Sequence, residues 1–112
     1  MTKTYQLTKQ AEADLEDIFI YTAGKWDTAQ AEKYLGELGQ FMNKLANSKV
    51  TGKSCSPLLH GRHDKSETLK YYHANKHYII YQETPKGIDV ITLYHDRMDL
   101  EARLKALSDK QS

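Results

Sequence analysis

The chain is poor in the devices that small proteins use as substitutes for a core. It has one cysteine, Cys55, in 112 residues, so no intramolecular disulfide can staple it. No apolar run approaches the ~20 residues that a membrane-spanning helix needs, because Lys, Glu or Asn interrupts each candidate. The first residues lack the charged-then-apolar order of a signal peptide, which leads us to expect a cytoplasmic protein. Gly24, Gly36, Gly39, Gly52, Gly61 and Gly87 never fall into a G-x-G-x-x-G or Walker arrangement, which argues against a nucleotide-hydrolysing enzyme.

Metal and thiol chemistry are equally thin. Cys55, His60, His63, His73 and His77 include a His-x-x-His and a His-x-x-x-His spacing. The His73/His77 pair, however, straddles an expected turn, and no second cysteine or acidic cluster completes a ligand set. We therefore expect no metal and no cofactor, with these histidines solvated on loops and strands. Cys55 stands in a Ser- and Lys-rich stretch with no stabiliser for a thiolate, so no cysteine nucleophile is expected.

Charge is nearly balanced at +1 but unevenly spread. Residues 1–48 hold five Lys against seven Asp or Glu, whereas residues 49–112 hold eleven Lys or Arg against eight Asp or Glu. A basic second half is compatible with nucleic acid or an acidic partner, and equally with simple solubility.

What is present is clear periodicity. Tyr5 and Leu7 alternate with polar neighbours over residues 3–7, as in a half-buried strand. Thr8 can cap a first helix whose face carries Ala11, Leu15, Ile18, Phe19, Thr22 and Trp26. Gly24 to Asp27 breaks that helix, and Asp27 with Gln30 has capping-box spacing for a second. Its stripe of Ala31, Tyr34, Leu35, Leu38, Phe41, Met42 and Leu45 ends near Asn47. Residues 48–65 read as irregular surface connection. Strands follow over 69–73, 77–82 and 88–94, with turns at 74–76 and 84–87. Asp99 can cap a short last helix carrying Leu100, Leu104 and Leu107, with a frayed tail after Ser108. This order predicts one α+β domain over residues 1–112. In it an N-terminal strand and helical hairpin pack in two layers on a small antiparallel sheet, with a short C-terminal helix.

Two clusters bear on chemistry. Tyr71, Tyr72, Tyr78 and Tyr81 beside Lys70 and Lys76 suit stacking of single-stranded RNA, or are simply strand tyrosines. In Tyr94-His95-Asp96-Arg97-Met98-Asp99, His95 can move protons and Arg97 can hold a phosphate or carboxylate. Alternatively, Arg97 and Asp99 only lock the last helix in place.

Three stretches together resemble one family. The run 13–22 through Trp26, with Gln30 to Tyr34, resembles the helical hairpin of ParE toxins. His77 to Tyr81, and Gly87 to Ile91 leading to His95-Asp96-Arg97-Met98-Asp99, resemble that family's sheet and its His-x-Arg-x-Asp ending. The resemblance spans residues 5–104. It implies a toxin without an active site that poisons DNA gyrase, traps cleaved DNA and is neutralised by a ParD-like antitoxin. Direct nucleic-acid contact is not expected outside the gyrase complex. Target contacts would fall on Arg97, His95, Lys70 and Lys76, and antitoxin contacts on Phe19, Trp26, Tyr34 and Tyr72. Where ParE-type sequences commonly show arginine, this chain has Lys70 and Lys76, which clamp phosphate less firmly. RelE relatives share the fold but cut ribosome-bound messenger RNA. Under that alternative His95, Arg97, Lys70 and Lys76 would be catalytic. A third reading is a degenerate module that only binds antitoxin.

Overall fold

The computed structural model describes residues 3–55 and 69–111. The elements run β1 (Thr4–Leu7), α1 (Lys9–Lys25), α2 (Thr28–Ala46), β2 (Lys53–Ser54), β3 (Leu69–Ala74), β4 (His77–Thr84), β5 (Gly87–His95) and α3 (Leu100–Gln111). The α+β class and the element order agree with the sequence expectation. Three details differ: β1 joins the sheet parallel to β5, residues 53–54 form a short strand inside the expected loop, and α3 continues past Ser108 to Gln111.

Caps fix the helix ends. The Thr8 hydroxyl accepts from the Ala11 N–H at 3.0 Å, and Asp27 Oδ1 accepts from the Gln30 N–H at 2.7 Å. Asp99 Oδ1 accepts from the Ala102 N–H at 3.1 Å at the start of α3. Thr22 carbonyl takes the Trp26 N–H, after which the backbone turns away at φ −119°, ψ −90°. Trp26 therefore leaves the apolar stripe on which its spacing placed it and stands 64% exposed.

The sheet order is β1-β5-β4-β3-β2. On one face Ile79, Tyr81, Ile88, Val90 and Leu93 pack with Ile18, Leu38, Met42 and Leu45 of the hairpin. On the other, Ile80 and Leu69 pack with Leu104 and Cys55, and Leu100 and Leu107 seal the edges. The last helix thus forms a third layer. It covers a face that the two-layer expectation left open, because Tyr71, Tyr78, Ile80 and Ile91 make that face apolar as well. Cys55 is fully buried there, and burial pushes its thiol up to about 12, so it is a core residue rather than a loop thiol. His60 and His63 lie outside the described residues. Among the described helices none is long and apolar enough to cross a membrane.

Glycine is required where β1 meets β5. Gly87 adopts φ +138°, and a Cβ there would lie 1.8 Å from the Thr4 carbonyl oxygen, its parallel partner.

The register of β4 on β5 shifts between Ile80, opposite Thr92, and Tyr81, opposite Val90. Ile91 is the extra residue of a β-bulge, and it reverses which residues of β5 face the hairpin. Before it Ile88 and Val90 do so; after it Leu93 does, while Ile91 and Tyr94 join the α3 side. Since β1 stops at Leu7 opposite Val90, α1 closes the exposed edge of β5 beyond that point. The Thr8 hydroxyl donates to the Ile91 carbonyl at 2.6 Å. Asp14 Oδ2 accepts from the Leu93 N–H at 3.0 Å and from the Thr92 hydroxyl. Gln10 steadies the other carboxylate oxygen at 2.9 Å. Replacing Asp14 by Ala strands the Leu93 N–H and the Thr92 hydroxyl in a partly buried place. It is expected to cost about 3 kcal/mol in urea unfolding with the m-value unchanged; a loss within error of zero would show that water replaces the carboxylate.

Candidate functional site

The bulge decides what the end of β5 presents. With parity reversed, His95 lies opposite His77 across the β4–β5 pair, and the two rings meet edge-on with centroids 5.1 Å apart. His77 shares the face of Ile79 and Tyr81, so it is drawn into the core rather than solvated as its sequence context suggested. It is only 9% exposed.

Hydrogen bonds set the protons. The Lys76 N–H donates to the Tyr34 hydroxyl at 3.2 Å, so that hydroxyl directs its own proton to His77 Nδ1, 2.6 Å away. His77 then carries its proton on Nε2. Burial, helped by the neighbouring His95, pushes the His77 ring down to about 4 from the usual 6.5. Burial likewise raises the Tyr34 hydroxyl above its ordinary range. On the strand end, the Arg97 N–H donates to His95 Nδ1 at 3.1 Å. Asp96 Oδ1 lies farther from the same nitrogen, at 3.4 Å. We assign the shorter, well-defined donation, which makes Nδ1 an acceptor. His73 Nε2 sits 3.0 Å from Asp96, and this hydrogen bond holds the Asp96 carboxyl below its usual range.

Around this network the α1–α2 turn, the β3–β4 turn and the β5–α3 turn enclose a cleft of about 270 Å³. It brings together five of the residues singled out from sequence: His95, Arg97, Lys76, Trp26 and Tyr34. Lys70 is not among them. It stands at the far end of β3, paired with Glu83 at 2.8 Å, and that hydrogen bond raises its pKa. Tyr72 is turned to the hairpin and packs on Phe41 at 5.6 Å between ring centroids, and Phe19 is half-buried on α1 away from the cleft. Of the alternative in which Arg97 and Asp99 only lock the last helix, the Asp99 cap is present, while Arg97 lines the cleft. Sequence reasoning missed Tyr21, Lys25, Gln30 and Asn75, which also line it. The alternation His77, Ile79, Tyr81 could have placed His77 in the core, but nothing local marks the other four. Among the described residues no group of three His, Cys, Asp or Glu is arranged to hold a metal.

A pH dependence follows from His77. Its folded pKa lies below the unfolded value, so between pH 6.5 and 4 the unfolded chain binds the proton that the folded chain refuses. Stability therefore falls with falling pH through that window, by about 2 kcal/mol from pH 7 to pH 5. Asp96 acts in the same direction but only below its ordinary value of 3.8. Denaturant midpoints measured at both pH values should show the loss in wild type and not in His77→Gln. An equal loss in both would place the titrating group elsewhere.

The fold and cleft can be set beside known proteins. The family described as the ParE toxin of the type II toxin-antitoxin system, parDE, matches residues 5–100. Toxin ParE1 of Mycobacterium tuberculosis is 33% identical over 105 residues, covering 93% of this chain and all of that protein. Toxin ParE of Escherichia coli is 33% identical over 101 residues, covering 89% of this chain and 91% of that one. A solved structure described as the chromosomal ParDE TA system from P. aeruginosa superposes with a TM-score of 0.64 at 12% identity, covering 84% of this chain and 96% of that one. With nearly its whole length matched, this chain belongs to the ParE toxin family of type II toxin–antitoxin systems.

Proposed function

We propose that the protein inhibits DNA gyrase in the cytoplasm, trapping cleaved DNA, and that a cognate ParD-like antitoxin neutralises it. The observation that carries a binding role over RNA cleavage is the state of the cleft. Cutting RNA needs an acid/base free to reach the 2′-hydroxyl and several cations converging on the phosphate. Here His77 is spent on Tyr34, which leaves His95 alone among the described cleft imidazoles for a reaction that needs both a base and an acid, and Lys70 is diverted to Glu83. What remains is a cationic, aromatic-rimmed recess suited to contact rather than proton transfer.

The antitoxin reading rests on apolar surface. From the cleft a trough continues between α1 and β5, walled by Ile18, Tyr21, Leu93 and Met98, and on toward Ile91 and Leu107 of α3. Tyr21 and Met98 stand 61% and 42% exposed, a combination that an amphipathic segment of a partner would cover. The antitoxin contacts thus fall along α1, β5 and α3, with Trp26 and Tyr34 at one end. Phe19 and Tyr72 lie off this path.

Two experiments test the proposal. Purified chain is added to gyrase, supercoiled plasmid and ATP, and linear DNA is sought after detergent and protease treatment. Accumulation of linear plasmid is expected; unaltered supercoiling without cleavage would refute gyrase as the target, and cleavage of ribosome-bound message abolished by His95→Ala would replace it. For the antitoxin, Tyr21→Asp and Met98→Asp should each weaken co-purification with the neighbouring gene's product, by about 100-fold if they are interface anchors. Wild-type affinity in both would move the interface off the trough.

A further inference from the structure

The cleft has a composition that gyrase inhibition does not by itself require. Among the described residues no carboxylate lines it directly, although the N-terminal half that forms one wall is net acidic and the Glu37 and Asp96 carboxylates stand behind Asn75 and His95. Its three cations come from three separate places: Lys25 from the last turn of α1, Lys76 from the β3–β4 turn and Arg97 from the β5–α3 turn. Trp26, the only tryptophan of the chain, stands 64% exposed at the mouth, and Tyr21 stands 61% exposed with the Lys25 ammonium 5.9 Å from its ring centroid. The Gln30 amide lines the same space, as does Asn75, whose Nδ2 already donates to Glu37 Oε2 at 3.2 Å.

We propose that this cleft holds one unpaired nucleotide of a nucleic-acid strand, with the base stacked on Trp26 and the flanking phosphates held by Lys25, Lys76 and Arg97. Flat exposed rings beside cations are the pairing that single strands use, and side-chain amides can meet a base edge. An acidic peptide is a poorer fit. One carboxylate engages one cation well, and a recess of about 270 Å³ takes a base with its sugar phosphate more readily than a helical turn with its side chains. His77, with its proton fixed on Nε2 by Tyr34, adds a neutral donor on the cleft wall. The inference goes beyond the gyrase reading and does not depend on it, because it requires only the strand.

Trp26 fluorescence reports on this cleft alone, so the full chain is titrated with thymidylate and uridylate dodecamers, with polyphosphate and with polyglutamate. Saturable quenching by the dodecamers is expected, and the tighter of the two identifies DNA or RNA as the source of the nucleotide. Three phosphate contacts predict a slope of log affinity against log salt of about −2, losing about 0.7 in Lys76→Gln or Arg97→Gln. Trp26→Ala, followed through the anisotropy of a labelled strand, should weaken binding about tenfold. Lys53→Gln, on β2, should change nothing. Polyphosphate binding as tightly as the strands would overturn the stacking role, and stronger quenching by polyglutamate would make the cleft an acidic-peptide site. Absence of quenching by either strand, or unchanged affinity in both cation variants, would overturn the proposal. A chain that binds the strand yet leaves gyrase untouched would refute the gyrase reading alone.

Discussion

Two polar side chains at the start of α1, its N-cap and one in its second turn, hold the molecule's geometry together. Thr8 and Asp14 reach across to the edge of β5 where β1 has stopped, and satisfy the Ile91 carbonyl and the Leu93 N–H. The bulge at Ile91 turns backbone groups toward an edge with no strand to receive them, and unmet polar groups in a packed interior cost free energy. α1 supplies the partners from its side chains. The same contacts fix the helix along β5, so the hairpin, the sheet and the bulge are one cooperative arrangement.

From that arrangement the cleft inherits its chemistry. Because the bulge reverses the strand's parity, Leu93 faces the hairpin and His95 lies opposite His77 at the sheet's end. Tyr34 of α2 completes the set by taking the Lys76 N–H and giving its own proton to His77. The result is a neutral, desolvated histidine at the base of a recess whose rim is cationic. Charge lies on the exposed walls, where keeping it solvated costs little, and the buried His77 beneath them is neutral and hydrogen-bonded.

The opposite face of the sheet is organised by different means. Cys55, Leu69, Ile80 and Leu104 form a compact cluster, and the cysteine behaves as a small apolar side chain. Leu100 and Leu107 close it from α3, while Asp99 starts that helix directly after the turn that carries Arg97. The turn bearing a cleft residue is thereby anchored at both ends, by the His95 carbonyl accepting from the Met98 N–H and by the cap of α3.

Much of this was legible in the sequence wherever the signal is local. Helix periodicity, the caps at Thr8, Asp27 and Asp99, and the turns between strands depend on residues within about four positions of one another, so the order of elements and the α+β class could be read directly. The joint spacing of hairpin, strands and the 95–99 segment likewise carried the family. What the chain could not declare locally was set by partners far apart in sequence: Thr8 with Ile91, Asp14 with Leu93, Tyr34 with His77. Those contacts chose the bulge, buried His77 and gathered three turns into one cleft, while packing against Leu69, Ile80 and Leu104 buried Cys55 on the other face. Lys70 pairs with Glu83 and Trp26 stands in solvent, neither of which the sequence pattern announced. Periodicity fixes what each segment becomes, whereas the face it shows and the neighbours it meets follow from tertiary packing, in which every strand's parity depends on the strands beside it.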